Sequence, residues 1–153
     1  MPQTSCGFSD VPGGVSGAVM LMAYGPTLIV DIGFDPNFKA PAPAAAPIPG
    51  ITGIHALVDT GAGECCIDSL LAAQLNLPIV DKRSIAGVHG TQEVNMHLAQ
   101  VYVPSLNQTI YGAFAGVQLV SGGQIHRALI GRTFLQSCTM VYDGRTGAVT
   151  IST

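Results

Sequence analysis

A chain of 153 residues accommodates one domain with a real core and leaves little for a second. Hydrophobic residues make up 48% and charged residues 10%, with a mean hydropathy of +0.44, which excludes disorder as the overall state and leaves apolar surface for another chain to cover. A net charge of −3 with 6 Lys and Arg supplies no electrostatic footprint for nucleic acid or for an anionic membrane surface.

Residues 1–14 are polar with interspersed Gly and Pro, and are expected to form a flexible N-terminal segment ahead of a domain spanning 15–153. Residues 19–23 and 27–32 are short apolar runs split by Gly25-Pro26, a pattern that predicts two strands joined by a turn. The apolar stretch 15–30 is interrupted at Gly17 and at Gly25-Pro26, short of the roughly 20 uninterrupted residues a spanning helix needs. The N-terminus also lacks the basic region of a signal peptide. Both absences lead to the expectation of a soluble, cytoplasmic protein with no membrane partner. Residues 40–50 read APAPAAAPIPG; alternating prolines deny this tract helix and ladder hydrogen bonds, so it reads as an extended surface insert, a spacer in preference to the alternative, a recognition tract.

Residues 55–58 form a short apolar run ending in Asp59-Thr60-Gly61, a strand followed by a tight turn. A short helix follows: Asp68 is placed as N-cap, Leu70, Leu71, Gln74 and Leu75 recur at helical spacing, and Pro78 ends it. Gly87-Val88-His89-Gly90 predicts a hairpin turn. Strands are predicted within 94–103, 109–120 and 128–131, a second helical turn at 133–137, and a closing hairpin of 140–142 with 148–151 around Asp143-Gly144. Many short strands with turn signals between them predict a small all-β barrel with one or two short helices. No internal repeat is visible.

Cys6, Cys65, Cys66 and Cys138 lack CxxC spacing, and adjacent Cys65 and Cys66 could form only a strained disulfide, so they read as reduced, mostly buried thiols. His55, His89, His97 and His126 could join Cys65-Cys66 as metal donors, but no HExxH or paired CxxC brings them together, and no metal ligand is assigned.

The signal for chemistry is Asp59-Thr60-Gly61-Ala62 at the end of an apolar strand. The strand fixes the carboxylate, Thr60 can hydrogen-bond to a partner copy, and Gly61 lets the backbone turn so that its N–H meets the carboxylate. The same tripeptide is also ordinary turn chemistry, and its surroundings decide between the two. The stretch ALVDTGAGECCIDSLLAAQLNLP resembles the active-site region of the retropepsin-like aspartic peptidases. So does Ala128-Leu129-Ile130-Gly131-Arg132-Thr133-Phe134-Leu135, a strand end running into a helix near the C-terminus, and Ala86-Gly87-Val88-His89-Gly90 stands where that family has its glycine-rich flap. The resemblance covers roughly residues 25–151, the proline-rich insert aside.

The resemblance implies a retropepsin-like barrel with one lobe per chain, in a single-domain cellular or bacterial-type member. It also implies an endopeptidase reaction without metal or cofactor: one ionised carboxylate activates a water while a second, protonated, polarises the scissile carbonyl. With a single Asp-Thr-Gly and no repeat, both carboxylates must be Asp59, from two subunits about a two-fold axis. Asp59, Thr60 and Gly61 are then catalytic. By the same analogy a peptide lies against Ala62, Gly63 and Glu64 beneath the flap residues Gly87, Val88, His89 and Gly90, with Ile85 and Ile130 as apolar pocket walls, and Gly131 and Arg132 support the site. Residues 147–152 are expected to pair across the dimer. Viral members commonly place an Asp where this chain has Gly63, and that Asp pairs with the Arg of the C-terminal motif; Glu64 pairing with Arg132, or Arg132 left for another partner, are the two alternatives here. A retropepsin-fold dimerisation or peptide-binding module with weak turnover is the competing function, and a metal enzyme the third.

Overall fold

The computed structural model describes residues 2–39, 43–87 and 90–153. Its centre is a barrel. Strands β2 (Thr27–Gly33), β3 (Gly50–Val58), β4 (Cys66–Asp68), β6 (Gly90–Val103), β7 (Gln108–Val117) and β8 (Ala128–Ile130) follow one another in the order β2-β3-β8-β4-β7-β6, and β6 pairs back onto β2 to close the ring. Strand β5 (Ile79–Gly87) lies outside the ring, paired to β6 as a long hairpin from Ile79↔His97 to Gly87↔Gly90. The core fills the ring: Val30, Ile32, Ala56, Ile67, Val101, Val103 and Ile130 are all fully buried. Helix α2 (Ser69–Gln74) follows β4, with the Asp68 carboxylate accepting from the Leu71 N–H at 3.3 Å as a cap.

A second, three-stranded sheet joins the chain's ends. Strand β1 (Gln3–Ser5) pairs with β10 (Ala148–Ser152), which pairs in turn with β9 (Thr139–Asp143). The segment expected to be loose is thus a strand in its first third. Its polar sequence conceals this because the backbone holds it: Cys6 N–H donates to Val149 O at 2.9 Å, Phe8 N–H to Gly147 O at 2.8 Å, and the Cys6 side chain is buried. Strand β10, expected to pair across a dimer, has a neighbour from its own chain on each side.

A further correction concerns residues 19–23. The expected strand is helix α1 (Gly17–Tyr24), so with α2 and α3 (Arg132–Leu135) the described residues hold three short α-helices where one or two were expected. Ser16 caps α1 by accepting from Val19 N–H at 3.2 Å, and Gly25, at φ 74°, ends it in a conformation that favours glycine. Only Leu21 of its large side chains is fully buried. The run is apolar on nearly every side, so no period was available to separate helix from strand. No helix among the described residues is long and apolar enough to cross a membrane.

Candidate active site

Asp59 follows directly on β3, half-buried at the mouth of a cleft of about 940 Å³. Three sets of backbone hydrogen bonds fix the loop that carries it. Asp59 N–H donates to Ile130 O at 2.9 Å, continuing the parallel β3–β8 pairing by one step. Gly61 N–H donates to Asp59 Oδ1 at 2.9 Å. The start of α3 closes the loop from the far side, with Arg132 N–H on Ala62 O at 2.9 Å and Thr133 N–H on Gly63 O at 3.0 Å. Gly131 sits so close beneath that a Cβ there would lie 2.5 Å from Glu64 O and 2.8 Å from Ala62 O. Any side chain at Gly131 would push the loop out of place.

The Arg132 side chain donates to Thr60 O at 2.7 Å. Glu64 does not pair with Arg132. Its carboxylate takes Arg83 of β5 at 2.9 Å, a link between the Asp59 loop and the arm of the long hairpin. Gly63, where a carboxylate would have met Arg132, leaves a gap instead: a Cβ there would stand 3.6 Å from Arg132 Nη2.

Of the residues singled out from sequence, Asp59, Gly61, Ala62, Gly63, Glu64, Ile85 and Gly87 line this one cleft. Thr60 is exposed beside it, and Gly90 closes the hairpin pair with Gly87 without lining the cleft. Val88 and His89 lie outside the described residues. Ile130 is a correction: it points into the barrel core, fully buried, and its neighbour Leu129 faces the cleft. Side chains alternate along a strand, so placing the pocket wall one residue away reversed its face.

Sequence reasoning also missed most of the apolar wall. Cys66, Met96, Val117 and Leu129 gather there with Ile85 as a small cluster separate from the main core. Burial, and then the neighbouring Cys65, Glu64 and Asp59, push the Cys66 thiol up to about 12, so at neutral pH it is protonated and acts as a small apolar surface. The cleft's far side is the segment after β7, including Gln118, Leu119, Gly122 and Gln124. Asp68 holds that segment. Its Oδ1 accepts from Leu119 N–H at 3.0 Å and Val120 N–H at 3.1 Å, so the buried helix cap also anchors a cleft wall. Sequence showed the cap but not this second use, because Leu119 lies far along the chain.

None of the described histidines lines the cleft. His126, buried at 2% exposure, meets Thr27 Oγ1 through Nε2 at 2.8 Å, and burial together with His55 lowers its pKa. His97 is buried with Nδ1 at 3.3 Å from Leu77 O. Among the described residues no three His, Cys, Asp or Glu are grouped to hold a metal ion.

A family model described as retroviral aspartyl protease matches residues 26–141. No curated protein sequence matches the chain. Among solved structures, EIAV protease complexed with the inhibitor HBY-793 is similar at 20% identity and a TM-score of 0.45, over 72% of this chain and 85% of that one.

Proposed function

We propose that this chain, which belongs to the retroviral aspartyl protease family, is an aspartic endopeptidase whose active site forms when Asp59 of two copies meets across a two-fold axis. The observation that carries this reading is the placement of Asp59: a carboxylate at a strand end, held by Gly61 N–H and braced by β8 and α3, opening on an apolar cleft. One such carboxylate is half of what the reaction uses. Two of them, sharing a proton, divide the work: the ionised one takes a proton from water as it attacks, and the protonated one donates to the carbonyl oxygen as negative charge develops there.

The chain's own groups prepare that chemistry. Gly61 N–H fixes the orientation of the carboxylate by engaging Oδ1. Arg132 ties down Thr60 O, so Thr60 is presented at the exposed tip of the loop, where it can meet its copy. Ile85, Cys66, Met96, Val117 and Leu129 form an apolar wall suited to bulky hydrophobic side chains flanking the scissile bond. The family resemblance implies that an extended peptide lies along residues 61–64, where Gly61 N–H, Ala62 O and Gly63 O are already engaged within the chain.

The test is turnover of a peptide library by the wild type beside Asp59→Asn. The amide is nearly isosteric and cannot accept the water's proton, so a loss of roughly 1,000-fold or more in rate with an unchanged circular dichroism spectrum is expected. Turnover retained by the folded, pure variant would end the assignment. A folded wild-type dimer that cleaves no peptide would favour the binding-module function instead.

A further inference from the structure

A second cavity lies behind the cleft. Side chains alternate along a strand, so Met96 and Val117 line the cleft while Asn95, His97 and Gly116 belong to the opposite face of β6 and β7. There, with helix α2, they line a separate cavity of about 500 Å³.

His97 carries the chemistry of this cavity. The residue is 6% exposed, and its Nδ1 stands 3.3 Å from Leu77 O. A carbonyl oxygen can only accept, so Nδ1 holds the hydrogen and the neutral ring keeps an acceptor at Nε2. Among the described residues Nε2 has no hydrogen-bond partner. Buried polar atoms ordinarily find one. Gly116 is what leaves Nε2 open: a Cβ there would lie 2.9 Å from Nε2 and 3.0 Å from Cδ2 of the ring. The backbone itself does not call for glycine, since Gly116 pairs with Ile67 in regular parallel register and is not among the residues with positive φ. Glycine inside a strand weakens it, so the space above Gly116 is what this glycine provides.

The remaining walls define what fits. Ala73, Leu77 and Ile79 are apolar, Ser69 and Asn95 add a hydroxyl and an amide, and no Asp, Glu, Lys or Arg lines the cavity. We propose that the cavity binds a small uncharged alcohol or phenol, whose hydroxyl donates to His97 Nε2 while its hydrocarbon part packs on Ala73, Leu77 and Ile79. A cation would find no carboxylate there, an anion would set an acceptor against the Nε2 lone pair, and a bare hydrocarbon would seal Nε2 away unpaired. The site stands independently of the Asp59 dyad. It sits at the root of the long hairpin, where Ile79 pairs with His97 beside the register shift between Ile79 and Asp81. An occupant therefore bridges α2 to the arm that carries Arg83 and Ile85 into the cleft.

Phenol and toluene, which differ by a hydroxyl in place of a methyl, are the probes. Titrated into the ¹⁵N-labelled protein, phenol should shift the amide resonances around Ala73, Ile79 and His97 and move the Nε2 resonance of His97. It should bind about tenfold more tightly than toluene. His97→Asn keeps a donor for Leu77 O and removes the acceptor, so the tenfold preference should vanish. Ala73→Phe, at an exposed position on α2, fills the cavity and should abolish binding of both probes; it decides the matter if His97→Asn fails to fold. Absence of saturable phenol binding, equal affinity for the two probes in the wild type, or phenol shifts that survive Ala73→Phe would each overturn the site.

Discussion

The two sides of the cleft are built differently. On the Asp59 side, Asp59, Thr60, Ala62 and Gly63 are each held by a strand or helix from elsewhere in the chain: β8 through Ile130, α3 through Arg132 and Thr133, and the Arg132 guanidinium on Thr60. On the hairpin side, β5 is exposed along nearly its whole length and relies on its ladder with β6 and on the Glu64–Arg83 pair. The difference teaches where precision is spent. On the dyad reading proposed above, a carboxylate that is to meet a second one would need packed, cooperative structure to position it, whereas a strand over an extended peptide would need only its ladder.

Breaking the rigid side should give the largest effect on stability. Gly131→Ala places a methyl against Glu64 O and Ala62 O, and backbone carbonyls cannot turn aside as side chains do. We expect a loss of about 2–3 kcal/mol in urea unfolding, with peptidase activity falling further than the unfolded fraction explains, because the Asp59 loop moves. A stable Gly131→Ala protein with wild-type activity would show that the loop is less constrained than its contacts indicate.

A pH titration sharpens the comparison from the same side. His126 lies just before β8, buried, with its Nδ1 unpartnered and its pKa lowered from the ordinary 6.5 by burial and by His55. The unfolded chain then binds more protons than the folded one as the pH falls, so stability is constant well above 6.5 and is lost progressively below it. His126→Gln should flatten that acid slope by up to one proton's worth while leaving the hairpin side unchanged. The check is urea unfolding measured between neutral and mildly acidic pH; an unaltered slope would assign the acid sensitivity to other groups.

The smallest effect is expected on the hairpin side. Glu64 and Arg83 are each nearly half exposed, so Glu64→Gln should change stability by no more than about 1 kcal/mol. Its consequence belongs to the cleft, since both residues line it. A change in KM with kcat preserved is the expected signature, and steady-state kinetics on one cleaved peptide would read it; a large fall in kcat would place Glu64 in the chemistry instead.

The sequence by itself determined the features whose signals are local. Asp59-Thr60-Gly61 after an apolar run, Asp68 before the α2 pattern, Gly87 and Gly90 at a hairpin and Ile130-Gly131-Arg132 at a strand end all stand where they were read, because turns and caps are written in neighbouring residues. Only the tertiary structure decided what depends on distant partners. An all-apolar run became α1 through a cap at Ser16 and one inward leucine. A polar N-terminus became β1 because β10 offered it an edge. Leu129, not Ile130, met the cleft because the parallel register with β3 set which face of β8 turned inward. Glu64 went to Arg83 rather than Arg132 because β5 passes within reach of the loop. Each of these outcomes is a choice between two locally acceptable states, and packing against residues far along the chain supplies the energy that separates them.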